Sequence, residues 1–257
     1  MQSTAFRRGA VAASAVSLAL LLSACSGGDD KKDDSNSSNG AKNDTKKSAP
    51  AKTQAELDKL AIVSADVKPQ EVKNRPLSEL KDAQVATSDK PECKALSTVM
   101  LGGVPGEAKN TIIRRVSPPL PTDGRLTEES SDKEFEEAME SIKLMSITSL
   151  GLGSYEGDGA TKAMAELKKA GESCGAGFVS KVKSDSNKVT KVTPAAYTGG
   201  DEALAYTLTM DGEGMKIETP TVVVRKGNEI FTVTTISLSG KAEQPKAVAD
   251  AQLKKLG

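Results

Sequence analysis

The chain of 257 residues carries 35 basic and 35 acidic side chains, so no net charge steers it toward nucleic acid. It has no histidine, which removes the usual general base of serine and cysteine hydrolases and the commonest ligand of catalytic zinc. With no Trp, three Tyr and four Phe, it has little from which to build a stacking platform for bases or sugars. No catalytic residue, metal site, cofactor or nucleic-acid partner is expected.

The chain opens with Arg7-Arg8, an apolar run from Ala10 to Leu22, and then Leu22-Ser23-Ala24-Cys25, which is the layout of an export signal. As a helix the run would reach about 20 Å, short of the roughly 30 Å of membrane hydrocarbon, so a spanning anchor is not expected. Residues 1–24 read as a signal peptide. Leu-Ser-Ala-Cys resembles the bacterial lipobox, which implies that Cys25 is acylated, palmitate included, and becomes the first residue of the mature protein. Loss of Arg7 and Arg8 with the signal leaves the mature chain two acids in excess. The expected location is the extracytoplasmic face of the cell membrane, with the anchor at Cys25 as the membrane partner. Residues 25–52 then form a Ser/Gly/Asp/Lys tract with almost nothing apolar to bury. It is expected to be a disordered tether with a reach of about 30 Å.

Residues 53–257 read as one globular domain. Thr53 caps a short helix, Glu56 completes a capping box, and Leu57 and Leu60 supply the apolar face. The chain is then irregular and Pro-broken through Pro76. Weak helices are expected at Leu77 to Asp82 and at Cys93 to Leu101, the second opened by Pro91. Thr111 to Val116 is β-branched and is stopped by Pro118, Pro119 and Pro121, with an exposed loop from Leu120 to Asp132. Phe135 to Leu144 reads as helix and Met145 to Leu152 as strand, followed by a Gly-rich turn from Gly151 to Gly157. In Asp158 to Ser173, Ala160, Ala163, Met164, Leu167 and Ala170 make one apolar stripe, with Lys and Glu on the other side. Gly171 is expected to begin the end of that helix. Strands follow at Phe178 to Lys183, Val189 to Thr193, Ala203 to Met210, Thr219 to Arg225 and Glu229 to Leu238. The turns at Gly199-Gly200, Asp211 to Gly214 and Lys226 to Asn228 are short enough to demand antiparallel neighbours. Lys246 to Leu256 closes the chain as an amphipathic helix, with Val248, Ala251 and Leu256 toward the sheet. The fold class is α+β: an antiparallel sheet of about five or six strands flanked by helices, with one disulfide.

That disulfide follows from the cysteine count. With Cys25 acylated, Cys93 and Cys174 remain as an even pair in an exported chain. A bridge across 81 residues is worth about 4 to 5 kcal/mol in the chain-entropy model. A metal or redox pair is the alternative, and it lacks a third ligand and a C-x-x-C spacing. The Gly151-Leu152-Gly153-Ser154-Tyr155-Glu156-Gly157 stretch misses the dinucleotide spacing and has no P-loop lysine. Ser-x-x-Lys at Ser78/Lys81, Ser130/Lys133 and Ser180/Lys183 has no accompanying K-T-G. Tyr155, Tyr197 and Tyr206 are the side chains best suited to a partly wet cleft between sheet and helices. Each suits the edge of a core equally well, and no ligand-binding residue is assigned.

The lipobox, the tether, Ile62-Val63-Ser64-Ala65-Asp66, Pro91-Glu92-Cys93-Lys94-Ala95-Leu96, Ser173-Cys174-Gly175-Ala176-Gly177 and Val224-Arg225-Lys226-Gly227-Asn228 together resemble actinobacterial lipoproteins of the PknH-like extracellular sensor-domain group. The resemblance spans about Leu57 to Leu256. It implies an antiparallel sheet flanked by helices, a cleft for an unidentified ligand, and no established catalysis. Two function classes stand out. The first is a tethered, non-enzymatic sensor or ligand-binding module whose partner is a small molecule, a lipid or an envelope protein. The second is a lipid carrier of the LppX/LprG type, against which the cysteine pair counts. An enzyme comes third.

Overall fold

The computed structural model describes residues 50–119, 131–143, 145–212, 214–237 and 239–257. The signal, Cys25, the tether up to residue 49 and the loop stretch 120–130 lie outside the described residues.

In chain order the elements are α1 (Gln54–Leu60), β1 (Glu71–Asn74), α2 (Leu77–Gln84), β2 (Thr87–Ser88), α3 (Lys94–Met100), β3 (Asn110–Ser117), α4 (Asp132–Lys143) and β4 (Ser146–Ser154). They continue as α5 (Gly159–Ser173), β5 (Phe178–Val182), β6 (Asp185–Ala195), β7 (Glu202–Gly212), β8 (Met215–Lys226), β9 (Glu229–Ser237) and α6 (Lys246–Leu256). The strands form one sheet of nine in the order β1-β3-β4-β9-β8-β7-β6-β5-β2. Every neighbouring pair is antiparallel.

The α+β class and the antiparallel sheet hold, but the expected count of five or six strands is too low. β3 and β4 belong to the same sheet as the late hairpins. Two edge strands, β1 and β2, carry no periodic signal, because an edge strand pairs on one side only and need not be apolar. β1 reads Glu-Val-Lys-Asn, and β2 is two residues long. The outward amide of Val72 in β1 donates to Ser64 Oγ at 2.8 Å, which blocks that edge.

The sheet cannot be flat. At about 4.8 Å per strand, β1 and β2 would stand roughly 38 Å apart across eight gaps. The segment joining them holds the eight-residue helix α2 and a few extended residues, a reach of about 30 Å. The sheet therefore curls, and α3 sits inside the curl, touching β2, β5, β8 and β9.

Helices cover both faces. On one face α3 and α5 bury Leu96, Val99, Met164 and Leu167 against Phe178, Leu208, Val223 and Ile230. On the other, α1, the segment just after it and α6 bury Leu57, Ile62, Val248 and Ala249 against Leu150, Leu152, Val222, Phe231 and Val233. The capping box expected for α1 is present. Thr53 N–H donates to Glu56 Oε2 at 2.8 Å, and Glu56 N–H donates to Thr53 Oγ1 at 3.3 Å. Just before it, Lys52 N–H donates to Ser154 Oγ at 2.9 Å and Lys52 Nζ pairs with the buried Glu229 at 2.8 Å, which pins the chain to the ends of β4 and β9. Gln252 on α6 stitches this face from within. Its Oε1 accepts from Ile62 N–H at 3.1 Å and its Nε2 donates to Leu60 O at 2.9 Å.

Two expectations about glycine are corrected. Gly171 does not begin the end of α5, which continues to Ser173. A Cβ there would stand 2.4 Å from the Tyr206 ring, so Gly171 is the gap that admits that ring. Gly151 and Gly153 lie inside β4 rather than in a loose turn. A Cβ on Gly151 would meet Gly102 O at 2.3 Å, so its absence lets the chain after α3 rest on the sheet.

Candidate functional site

Cys93 and Cys174 are bonded to each other, with their Cα atoms 5.9 Å apart. Cys93 closes the tight turn 91–93 ahead of α3, and Cys174 follows the last turn of α5. Both are fully buried. The bridge therefore ties together the two helices on one face of the sheet, and these helices are the walls of a cleft.

The cleft holds about 900 Å³, within the range of small-molecule sites. Pro91, Glu92, Lys94, Ala95 and Thr98 form one wall, and Asp158, Lys162, Glu166 and Lys169 of α5 and its approach form the other. Gly106, Glu107, Ala108 and Thr111 close the end, and Gln84 of α2 reaches in from the side. The end loop is held at two points. Gly106 has φ +68° and rests on α5, where a Cβ would come 2.7 Å from Ala163 Cβ. Beneath it the buried Tyr155 hydroxyl donates to Pro105 O.

Five carboxylates, those of Glu92, Glu107, Glu156, Asp158 and Glu166, face three ammonium groups, those of Lys94, Lys162 and Lys169. Asp158 pairs with Lys162 at 2.9 Å. The hydrogen bond from Lys162 holds the Asp158 carboxyl below the ordinary carboxylate value, so it stays ionised and serves badly as a general acid. Gln84 Nε2 is buried and has no hydrogen-bond partner among the described residues. An orphaned amide of this kind costs about 1 to 3 kcal/mol. No group of three or more His, Cys, Asp or Glu among the described residues is placed to hold a metal ion. The arrangement suits polar recognition with a slight preference for positive charge.

A second recess of about 340 Å³ lies where the paired ends of β6 and β7 meet the C-terminal half of α5. Pro194, Ala195, Ala196, Leu204, Ala205 and Gly171 line it together with Tyr197 and Tyr206. Of the three tyrosines marked in the sequence, the structure brings Tyr197 and Tyr206 together here and leaves Tyr155 in the core. The Tyr197 hydroxyl donates to Asp250 at 2.9 Å, and burial followed by that bond raises its pKa.

Among the Ser-x-x-Lys pairs, Ser130 lies outside the described residues. Ser78 and Lys81 stand on α2. Lys183 pairs with Asp82 at 2.9 Å, while the fully buried Ser180 has no partner among the described residues. The cleft residues were not singled out in the sequence because they come from α2, α3, the loop before β3 and α5. The one legible signal was Lys162, Glu166 and Lys169 at helical spacing, which reads as an ordinary solvated face.

No family model matches this chain, and comparison with curated proteins finds no match. Among solved structures the chain is similar to the extracellular domain of PknH from Mycobacterium tuberculosis, with 14% identity, a TM-score of 0.49, and 81% of this chain and 97% of that chain covered.

Proposed function

We propose that this protein is a non-enzymatic, extracytoplasmic ligand-binding or sensor module, held on the membrane by lipid at Cys25. The observation that carries the reading is the charged cleft between α3 and α5. Its walls are cross-linked by Cys93–Cys174, and its lining carries carboxylates and ammonium groups from separate elements. A fixed cleft is preorganised, so a ligand spends little of its binding energy on ordering the protein. The bridge also fits an oxidising compartment, in keeping with the export signal. A lipid carrier of the LppX/LprG type would need apolar room for acyl chains. The larger cleft is lined with charge, and the apolar recess holds only about 340 Å³.

The test is thermal denaturation of the intact protein in detergent against envelope lipids, wall fragments and small metabolites, because a ligand that prefers the native state raises its midpoint. A polar, cationic or zwitterionic compound is expected to raise it, and Glu166→Lys is expected to abolish the rise. Turnover of such a compound, lost on a single Ser or carboxylate substitution that leaves the fold intact, overturns the non-enzymatic reading. The anchor is tested separately. One acyl chain holds a protein only marginally and two hold it stably, so a diacylated Cys25 fractionates with membranes. Cys25→Ala should release the protein, and unchanged membrane retention contradicts the lipobox reading.

A further inference from the structure

The apolar recess beside α5 has in its lining a phenol, Tyr206, whose hydroxyl bonds to no described residue. Tyr206 is only 5% exposed, and its hydroxyl has no hydrogen-bond partner among the described residues, although it lines the recess. The phenol end of the ring lies over Gly171, where any Cβ would collide with it, and both residues line the recess. Burial and the nearby Glu172 carboxylate both push the Tyr206 pKa up, so the phenol stays neutral and keeps its proton. Around it the surface is Pro194, alanines and Leu204, and the second phenol, Tyr197, is fixed at the rim by Asp250.

We infer that this recess is a second binding site, separate from the charged cleft. Its ligand is a small uncharged molecule with an apolar ring-sized body and one hydroxyl or carbonyl. The volume sits at the lower end of small-molecule sites, which limits the occupant to about a single ring or a short acyl group. The apolar floor supplies burial, and the Tyr206 hydroxyl supplies one hydrogen bond that a plain hydrocarbon cannot satisfy. A charged group gains nothing here, because the rim carries Lys168 and Glu172 of opposite sign, and desolvating a charge against alanine is costly.

The chain has three tyrosines, so isotope-labelled tyrosine in the intact protein gives three sets of ring resonances, with the core residue Tyr155 as an internal control. The probes are p-cresol, toluene and 4-methylbenzoate. The inference expects p-cresol to shift Tyr197 and Tyr206 saturably while Tyr155 stays in place, with affinity about five- to tenfold above toluene and no saturable effect from 4-methylbenzoate. Tyr206→Phe removes only an unpartnered hydroxyl, so the fold should survive. In that variant p-cresol and toluene should bind equally, read at Tyr197. Either of two results overturns the inference: p-cresol leaving both resonances unmoved, or p-cresol keeping its advantage over toluene in Tyr206→Phe.

Discussion

The two faces of the sheet are built to different standards. Beneath α1 and α6 the core is continuous aliphatic packing, and several of its buried polar groups are paired: Gln252 with Ile62 and Leu60, Thr148 with Thr235 at 2.8 Å, and Glu229 with Lys52 and Ser154. Beneath α3 and α5 the hydroxyls of Ser97, Ser180, Thr219 and Thr232 are buried without partners among the described residues, and the helices leave a cleft and a recess. That face is the one with the disulfide. The difference teaches that the closed face holds the sheet in shape. The open face gives up satisfied contacts for access and is kept together covalently.

The bridge is the largest expected effect. Reduction, or Cys93→Ser with Cys174→Ser, should lower stability by up to about 4 to 5 kcal/mol. Amide exchange should rise in α3 and α5 well before it rises in α1 and α6. Equal loosening of both faces would erase the contrast.

On the closed face, Gln252→Ala should cost about 2 to 3 kcal/mol, because the Ile62 amide and the Leu60 carbonyl both lose their partner in a dry interior. Denaturant titration measures this, and a cost below about 0.5 kcal/mol, the scale of ordinary surface substitutions, would show that the stitch does nothing.

Alkaline pH sharpens the comparison from the other side. Burial raises the Tyr155 pKa above its unfolded value, so the protonated phenol is favoured in the folded state. That contribution is fully present below the ordinary tyrosine value of about 10 and is lost as pH rises past it. Melting midpoints should fall above about pH 10. Tyr155→Phe, which loses the bond to Pro105, should be destabilised by about 1 kcal/mol at neutral pH and fall less steeply in alkali. An identical alkaline slope in the variant would remove Tyr155 as the cause.

The smallest effect is the most diagnostic in sign. Thr232→Val replaces an orphaned hydroxyl with a methyl of the same shape, and should leave stability unchanged or raise it by up to about 1 kcal/mol. A clear loss in calorimetric melting would show that the Thr232 hydroxyl is satisfied in solution.

What was legible in the sequence had local causes. The capping box at Thr53 and Glu56, the apolar stripe of α5 and the turn at Gly227-Asn228 each depend on residues a few positions apart. β1 and β2 were not legible, because pairing with β3 and β5 makes them strands and nothing in their own side chains does. Gly171, Gly151 and Gly153 were misread for the same reason. Each answers to a distant neighbour, Tyr206, Gly102 or Val104, rather than to its own backbone. The pairing of Tyr197 with Tyr206 in one recess was half visible in their amphipathic character, and the charged cleft was not, since four separate segments build it.

The central claim is that the open face captures a ligand in its charged cleft. Native mass spectrometry of the membrane-extracted protein tests it most directly. The account predicts a non-covalent adduct on the parent protein that is absent from the cleft variant carrying Gln84→Leu and Glu166→Lys. A parent that carries no adduct, or an adduct that persists in the variant, would contradict it.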